Sequence, residues 1–119
     1  MPARYASTVS SRSEPFTGPR PCGIADALQL VGDRWALLAI RELSFGVHRF
    51  NEIQQNTGAP RASLATRLRE LEAVGVVARR RYNERPPRDE YVLTEAGEAL
   101  APALGALREW GERYKRRLA

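Results

Sequence analysis

The chain of 119 residues carries 19 Lys plus Arg against 14 Asp plus Glu, a net charge of +5, and an apolar content of 43%, which suits one globular domain with a modest core. One cysteine, Cys22, and one histidine, His48, exclude an intrachain disulfide and argue against a Cys- or His-based metal site, so no metal and no cofactor is expected. No apolar run reaches membrane-spanning length and the N-terminus has no apolar signal core, so a reducing cytoplasm without membrane contact is the expected setting.

Residues 1–21 hold four prolines and little periodicity, which predicts a flexible N-terminal arm. Its Arg4, Arg12 and Arg20 are either solvated or within reach of a phosphate backbone. The folded domain is expected over residues 22–119. Cys22 to Val31 reads as its first helix, with Ile24, Ala27, Leu28 and Val31 on the buried side. Cys22 then sits at the positive end of that helix, beside Arg20, where negative charge is favoured. Two readings of Cys22 stay open: a reactive thiol, or the small buried hydrophobe that free Cys often is.

Gly32 ends the first helix and Asp33 caps the next, Arg34 to Leu43. Trp35, Leu38, Leu43 and either Ala39 or Ile40 form its inward stripe, with Trp35 read as a core aromatic rather than the wall of a ligand cavity. Ser44 to Val47 is a connection. His48 is expected to be a hydrogen-bonding surface residue ahead of a short helix, Phe50 to Asn56, anchored by Phe50 and Ile53.

Asn56 to Ala59 is a turn, and the stretch Ala59 to Gly75 is one amphipathic helix. Pro60 suits its first turn and Gly75 its stop. Leu64, Leu68 and Leu71 stack on one face; Ala62, Thr66 and Arg69 lie opposite, flanked by Arg61, Ser63, Ala65 and Arg67. A small, hydroxylic, guanidinium-bearing face suits a helix that enters a groove of a polyanion. Nearly all the positive charge of the chain is Arg, Lys115 being the one lysine, and Arg grips phosphate bidentately and reads guanine edges. A GC-rich genome produces the same bias, so composition alone does not decide.

Val76 to Tyr82 reads as a strand, Asn83 to Asp89 as a basic loop, and Glu90 to Leu93 as a returning strand. Val77 anchors this ribbon. Arg79 and Arg81 share a strand face, Tyr82 and Tyr91 are expected as a cross-strand pair, and Pro86–Pro87 stiffens a tip that carries Arg85 and Arg88. Thr94 caps one last helix, about 94–117, along which Leu100, Leu104, Leu107, Trp110 and Tyr114 form an unbroken apolar seam; Pro102 is expected to bend it. With little core left to cover, the seam reads as a dimer interface. Arg113, Lys115, Arg116 and Arg117 crowd its end. The fold class is mainly α with a small β wing, in the order of a winged helix-turn-helix.

From Cys22 to about Gly111 the sequence resembles the HxlR family of bacterial transcription regulators, winged-helix proteins related in architecture to MarR proteins. The likeness rests on CGIADALQLVGDRW, HRFNEI, LATRLRELEAVGVV and, most specifically, YNERPPRDEYVLTEAG. Gly23 stands where the family usually has Pro, and Pro60 where a Ser-like cap is common. The resemblance implies a homodimer built by the terminal helices, often with the first helix. It also implies a recognition helix at Pro60 to Val74 in the major groove and a wing at Asn83 to Asp89 on the flanking backbone. Several members sense quinones, aldehydes or oxidants through an N-terminal Cys, to which Cys22 corresponds.

The expected function is therefore a dimeric, sequence-specific DNA-binding regulator without enzymatic activity. Arg69 and Thr66 would read base edges, with Ala62 giving close approach. Arg61, Ser63, Arg67, Arg85 and Arg88 would hold phosphates. Control is expected through Cys22 or through a small-molecule or oxidant effector. The rival expectation is a winged-helix module whose basic face binds an acidic protein and never touches DNA.

Overall fold

The computed structural model describes residues 18–118. The arm expected over residues 1–21 lies outside the described residues up to residue 17; residues 18–21 are exposed and carry no helix or strand. Six helices and a two-stranded ribbon follow: α1 (Gly23–Val31), α2 (Arg34–Ser44), α3 (Phe50–Thr57), α4 (Arg61–Ala73), β1 (Val77–Glu84), β2 (Pro87–Leu93), α5 (Glu95–Glu98) and α6 (Ala101–Leu118).

Local chemistry sets most of these boundaries. Asp33 caps α2 with Oδ1, which accepts from the Trp35 and Ala36 N–H groups at 2.8 and 3.1 Å. Gly58 and Gly75 take φ of 73° and 85° after α3 and α4, the left-handed turn that lets each helix stop abruptly. Pro60 sits one residue ahead of α4 as its N-cap, with extended backbone and no side-chain cap bond.

The core lies where α2, α3, α4 and β1 meet. Ala39, Ile40, Ile53, Leu64, Leu68, Leu71 and Val77 are essentially fully buried. Both Ala39 and Ile40 point inward, together with Ala36 and Leu43. Leu38, expected in that stripe, does not join them; it lines a groove between α2 and α6. Glu42 is buried with them and is fully partnered: Arg41 lies 2.8 Å from Oε2, and Asn56 Nδ2 donates to Oε1 at 2.8 Å. This carboxylate ties the end of α3 to α2, and a buried charge needs such partners.

Further expectations are corrected. The apolar side of α1 is not buried by this chain: Ile24, Ala27 and Leu28 are exposed and only Val31 enters the core. The core is already closed by α2 to α4, so α1 has only its last turn to contribute.

The wing is longer in strand and shorter in loop than expected. β1 and β2 are antiparallel, with Arg79 opposite Tyr91, Arg81 opposite Asp89 and Glu84 opposite Pro87, so the turn is Arg85–Pro86 alone, joined by a cis peptide bond. A register shift between Arg81 and Asn83 leaves Tyr82 without a partner across the ladder, which breaks the expected Tyr82–Tyr91 pair. Each ring takes an arginine instead: Arg79 lies 5.6 Å from the Tyr91 ring and Arg49 lies 4.1 Å from Tyr82.

The last helix is two. Thr94 caps α5 as expected, its Oγ1 accepting from the Gly97 N–H at 3.3 Å. The chain then turns at Ala99 and Leu100 before α6 begins. Pro102 explains the break, since it cannot donate to the Glu98 carbonyl and its ring would strike that carbonyl. A proline in the first turn starts a new helix more readily than it bends a continuing one. Gly97 is buried against the end of α4: a Cβ there would strike the Val76 carbonyl oxygen. The Thr94 N–H also donates to that oxygen, at 3.1 Å, so Thr94 and Gly97 together staple the exit of the wing to the stop of α4.

Candidate nucleic-acid interface

The three leucines of α4 fix its rotation and so decide what it shows to solvent. Ala62 and Arg69 are exposed and Thr66 is half-exposed on the face opposite those leucines. Arg69 Nη2 lies 3.4 Å from Thr66 Oγ1, so the guanidinium and hydroxyl present one combined donor edge. Neither is held by an acidic side chain among the described residues. Arg61, at the first position of α4, is stacked 4.8 Å from the Phe50 ring and donates to Asn51 Oδ1 at 3.0 Å.

Arg67 is placed differently from the phosphate contact expected of it. It turns toward Asp33 at the start of α2, whereas Ser63 in the first turn of α4 is half-exposed. Its Nη1 donates to Glu70 Oε1 at 2.7 Å, and its Nε lies 3.3 Å from Asp33 Oδ2, close in charge but without hydrogen-bond geometry. The Glu70 hydrogen bond first, and then the charges of Asp33 and Glu70, raise its pKa above the ordinary value. Asp33 thus caps α2 with one oxygen and faces α4 with the other.

The wing divides its arginines in the same way. Arg79 meets Glu72 at 3.0 Å, Arg80 meets the buried Glu90 at 2.7 Å, and Arg81 meets Asp89 at 2.7 Å. Arg85 at the tip and Arg88 on β2 are exposed and have no ion-pair partner among the described residues. The ribbon is aimed by His48. The His48 carbonyl accepts from the Tyr91 N–H at 2.8 Å, and His48 Nδ1 lies 2.8 Å from the Tyr91 carbonyl oxygen. His48 is therefore the hinge pin of the wing, half-buried rather than the surface residue expected.

Between the wing and the starts of α3 and α4 lies an open cleft of about 530 Å³, lined by Arg49, Phe50, Arg61, Tyr82, Arg88 and Asp89 among others. It brings Arg61 of the recognition helix and Arg88 of the wing to one place. Arg49 was not singled out from the sequence. Its signal there, a single Arg before a helix, is indistinguishable from a solvated residue; the register shift that turns Tyr82 toward it is not visible in the sequence.

At the other end of the molecule the expected seam divides. Leu100 and Leu104 pack on the chain's own core, whereas Leu107 and Trp110 are more than half exposed. Tyr114 is half-buried, its ring 5.6 Å from that of Trp110. A groove of about 600 Å³ runs between α2 and α6, lined by Leu37, Leu38, Phe45, Leu104 and Leu107, with arginines at its rim. Cys22 is exposed at the N-cap of α1, and its Sγ accepts from the Ala25 N–H at 3.4 Å. No helix among the described residues is long and apolar enough to cross a membrane.

A turn of Gly58 between two packed helices, the second presenting a donor-rich face, followed by an antiparallel ribbon with an arginine tip, defines a winged helix-turn-helix. More particularly, the chain belongs to the HxlR-like helix-turn-helix family, whose model matches residues 30–119. It is 46% identical over 106 residues to Rv3095 of Mycobacterium tuberculosis, named an HTH-type transcriptional regulator; the match takes in 89% of this chain and 65% of that protein, so this chain spans about two thirds of the relative's length. It is 36% identical over 111 residues to YdeP of Bacillus subtilis, likewise named an HTH-type transcriptional regulator, covering 92% of this chain and 84% of that one. Among solved structures, the redox regulator HypR in its reduced form superposes with a TM-score of 0.73 at 33% identity, covering 82% of this chain and 97% of HypR. The reduced form of the transcriptional regulator YodB from B. subtilis superposes with a TM-score of 0.65 at 34% identity, covering 80% of this chain and 95% of YodB.

Proposed function

We propose that the chain is a non-enzymatic transcriptional regulator of the cytoplasm that binds double-stranded DNA as a homodimer, with α4 in the major groove and the wing on the flanking backbone. The observation that carries this reading is the sorting of arginines: Arg67, Arg79, Arg80 and Arg81 are in ion pairs within the chain, whereas Arg69, Arg85 and Arg88 are exposed and have no acidic partner among the described residues. Arg69 and Thr66 read base edges, Ala62 permits close approach, and Arg61, Ser63, Arg85 and Arg88 hold phosphates. Arg67 orients α4 against α2 and leaves the phosphate set. Leu107, Trp110 and Tyr114 join two copies, with Leu100 and Leu104 anchoring α6 to each protomer's core. Two-fold symmetry then calls for a pseudo-palindromic operator with half-sites roughly 34–36 Å apart.

Titration of random and selected duplexes at several salt concentrations tests the reading. A DNA-binding dimer gives a steep linear fall of log affinity with log salt. Salt-independent or undetectable binding, with capture of an acidic protein instead, would establish the protein-interaction module in its place.

Cys22 supports a second level of control. It is exposed at a helix N-terminus, and two structural neighbours, the redox regulator HypR and the transcriptional regulator YodB, are known in reduced forms. In this reading, diamide or a quinone alters operator affinity in the native chain and leaves Cys22→Ser unaffected; equal affinity before and after oxidation removes it. An effector in the groove beside Leu38 and Phe45 is the competing trigger, detectable by the fluorescence of Trp35 and Trp110.

A further inference from the structure

The cleft between the wing and α3 brings together three guanidinium groups from three segments distant in sequence: Arg49 ahead of α3, Arg61 at the start of α4, and Arg88 on β2. Two are already oriented without a counter-ion. The Arg49 guanidinium lies over the Tyr82 ring at 4.1 Å and that of Arg61 over Phe50 at 4.8 Å, and Arg61 is further held by Asn51 Oδ1. Stacking fixes a guanidinium in place while leaving its N–H edge unspent, which ion pairing does not. The acidic groups in the cleft are Glu52 and Asp89, and Asp89 is occupied by Arg81 at 2.7 Å. The cleft also opens on the first turn of α3, whose N–H groups receive no side-chain cap. Three guanidinium groups against two carboxylates, one of them already paired, leave the cleft net positive, and an oxyanion placed there is attracted by that excess.

We propose that Arg49, Arg61 and Arg88 form a seat for one backbone phosphate at the junction of recognition helix and wing, with Tyr82 as the platform that holds Arg49. The seat rests on the DNA-binding reading and deepens it by making one phosphate the point at which helix and wing are engaged together. Tyr82 is free for this role because the register shift at Arg81–Asn83 releases it from the ladder. Arg49 is thereby a DNA-contacting residue although it lies on neither the recognition helix nor the wing.

The test measures binding of the whole protein to selected and random duplexes across a salt series. Arg49→Ala is expected to weaken every duplex alike, on the order of tenfold at fixed low salt, as loss of one charged hydrogen-bond donor does. It should flatten the log–log salt slope by about 0.9 per seat. Arg49→Lys keeps the charge and loses the planar guanidinium over Tyr82, so it should fall between; Tyr82→Phe should match the native protein and Tyr82→Ala should follow Arg49→Ala. Arg113→Ala, remote from the cleft, is the control for net charge. Native protein that binds with a steep slope, together with an unchanged Arg49→Ala, would overturn the seat and leave the DNA reading standing. A loss confined to one operator sequence would also overturn it, since a phosphate seat reads no base. Native protein without salt-dependent binding would overturn both.

Discussion

The inner and outer helices treat the same kind of amphipathic sequence in opposite ways. On α4 the leucine stripe is entirely inside the chain's own core, Leu64, Leu68 and Leu71 showing at most 1% of their surface. On α1 and α6, residues of the same spacing stand outside: Ile24 and Leu28 are 55% and 57% exposed, Leu107 and Trp110 57% and 55%. Periodicity marks a face that must be covered and does not say which molecule covers it. The arginines divide in parallel. Arg67, Arg79, Arg80 and Arg81 are engaged within the chain, and Arg49, Arg69, Arg85 and Arg88 keep their donor edges for something else.

Each half of this contrast can be broken by substitution. Leu68→Ala should have the largest effect, destabilising the fold by about 2–5 kcal/mol, as loss of a fully buried leucine does. Urea unfolding checks it, and a change below that range would mean the inner stripe is not the core. Trp110→Ala should leave the unfolding of the separated protomer nearly unchanged while weakening self-association by roughly thirtyfold, the size of an aromatic hot spot. Sedimentation equilibrium over a concentration series reads this directly; an unchanged association constant would place the interface elsewhere.

The arginines offer smaller and sharper tests. Arg69→Ala should cost about 1–3 kcal/mol at one operator position and relax preference there, whereas Arg88→Ala should weaken all sequences and flatten the salt slope. If both substitutions behaved alike, the division between base reader and phosphate holder would fail. Asp33→Ala should lower stability by about 1 kcal/mol through loss of the α2 cap. It should also reduce operator affinity without changing the salt slope, because Asp33 orients α4 through Arg67 and touches no phosphate. Arg81→Ala should have the smallest effect, within about 1 kcal/mol in stability, as for exposed ion pairs generally. An effect on DNA affinity as large as that of Arg88→Ala would show that pairing with Asp89 does not remove Arg81 from the interface.

Much of the architecture was legible from the chain because it rests on short-range rules. The caps at Asp33 and Thr94, the stops at Gly58 and Gly75 and the leucine face of α4 each involve residues within a turn or two of one another. The turn between α5 and α6 was legible in principle too, since Pro102 cannot sit inside a continuing helix. It was missed because the apolar spacing runs straight through the break. The Tyr82–Tyr91 pair failed for a related reason: alternation assumes an unbroken register, and one shift at Arg81–Asn83 sends Tyr82 to Arg49.

By itself, then, the sequence determined the order of elements, the inward face of the recognition helix and the membership of the chain in its family. Local geometry, period and capping act over a few residues and leave a direct trace in the string. Only the tertiary structure decided which arginines are engaged and which are available. It also settled which apolar faces stay bare and that Arg49, Arg61 and Arg88 line one cleft. Those outcomes depend on distances of a few ångströms between segments tens of residues apart, and charge or apolar character has the same spelling whether or not a partner stands opposite it.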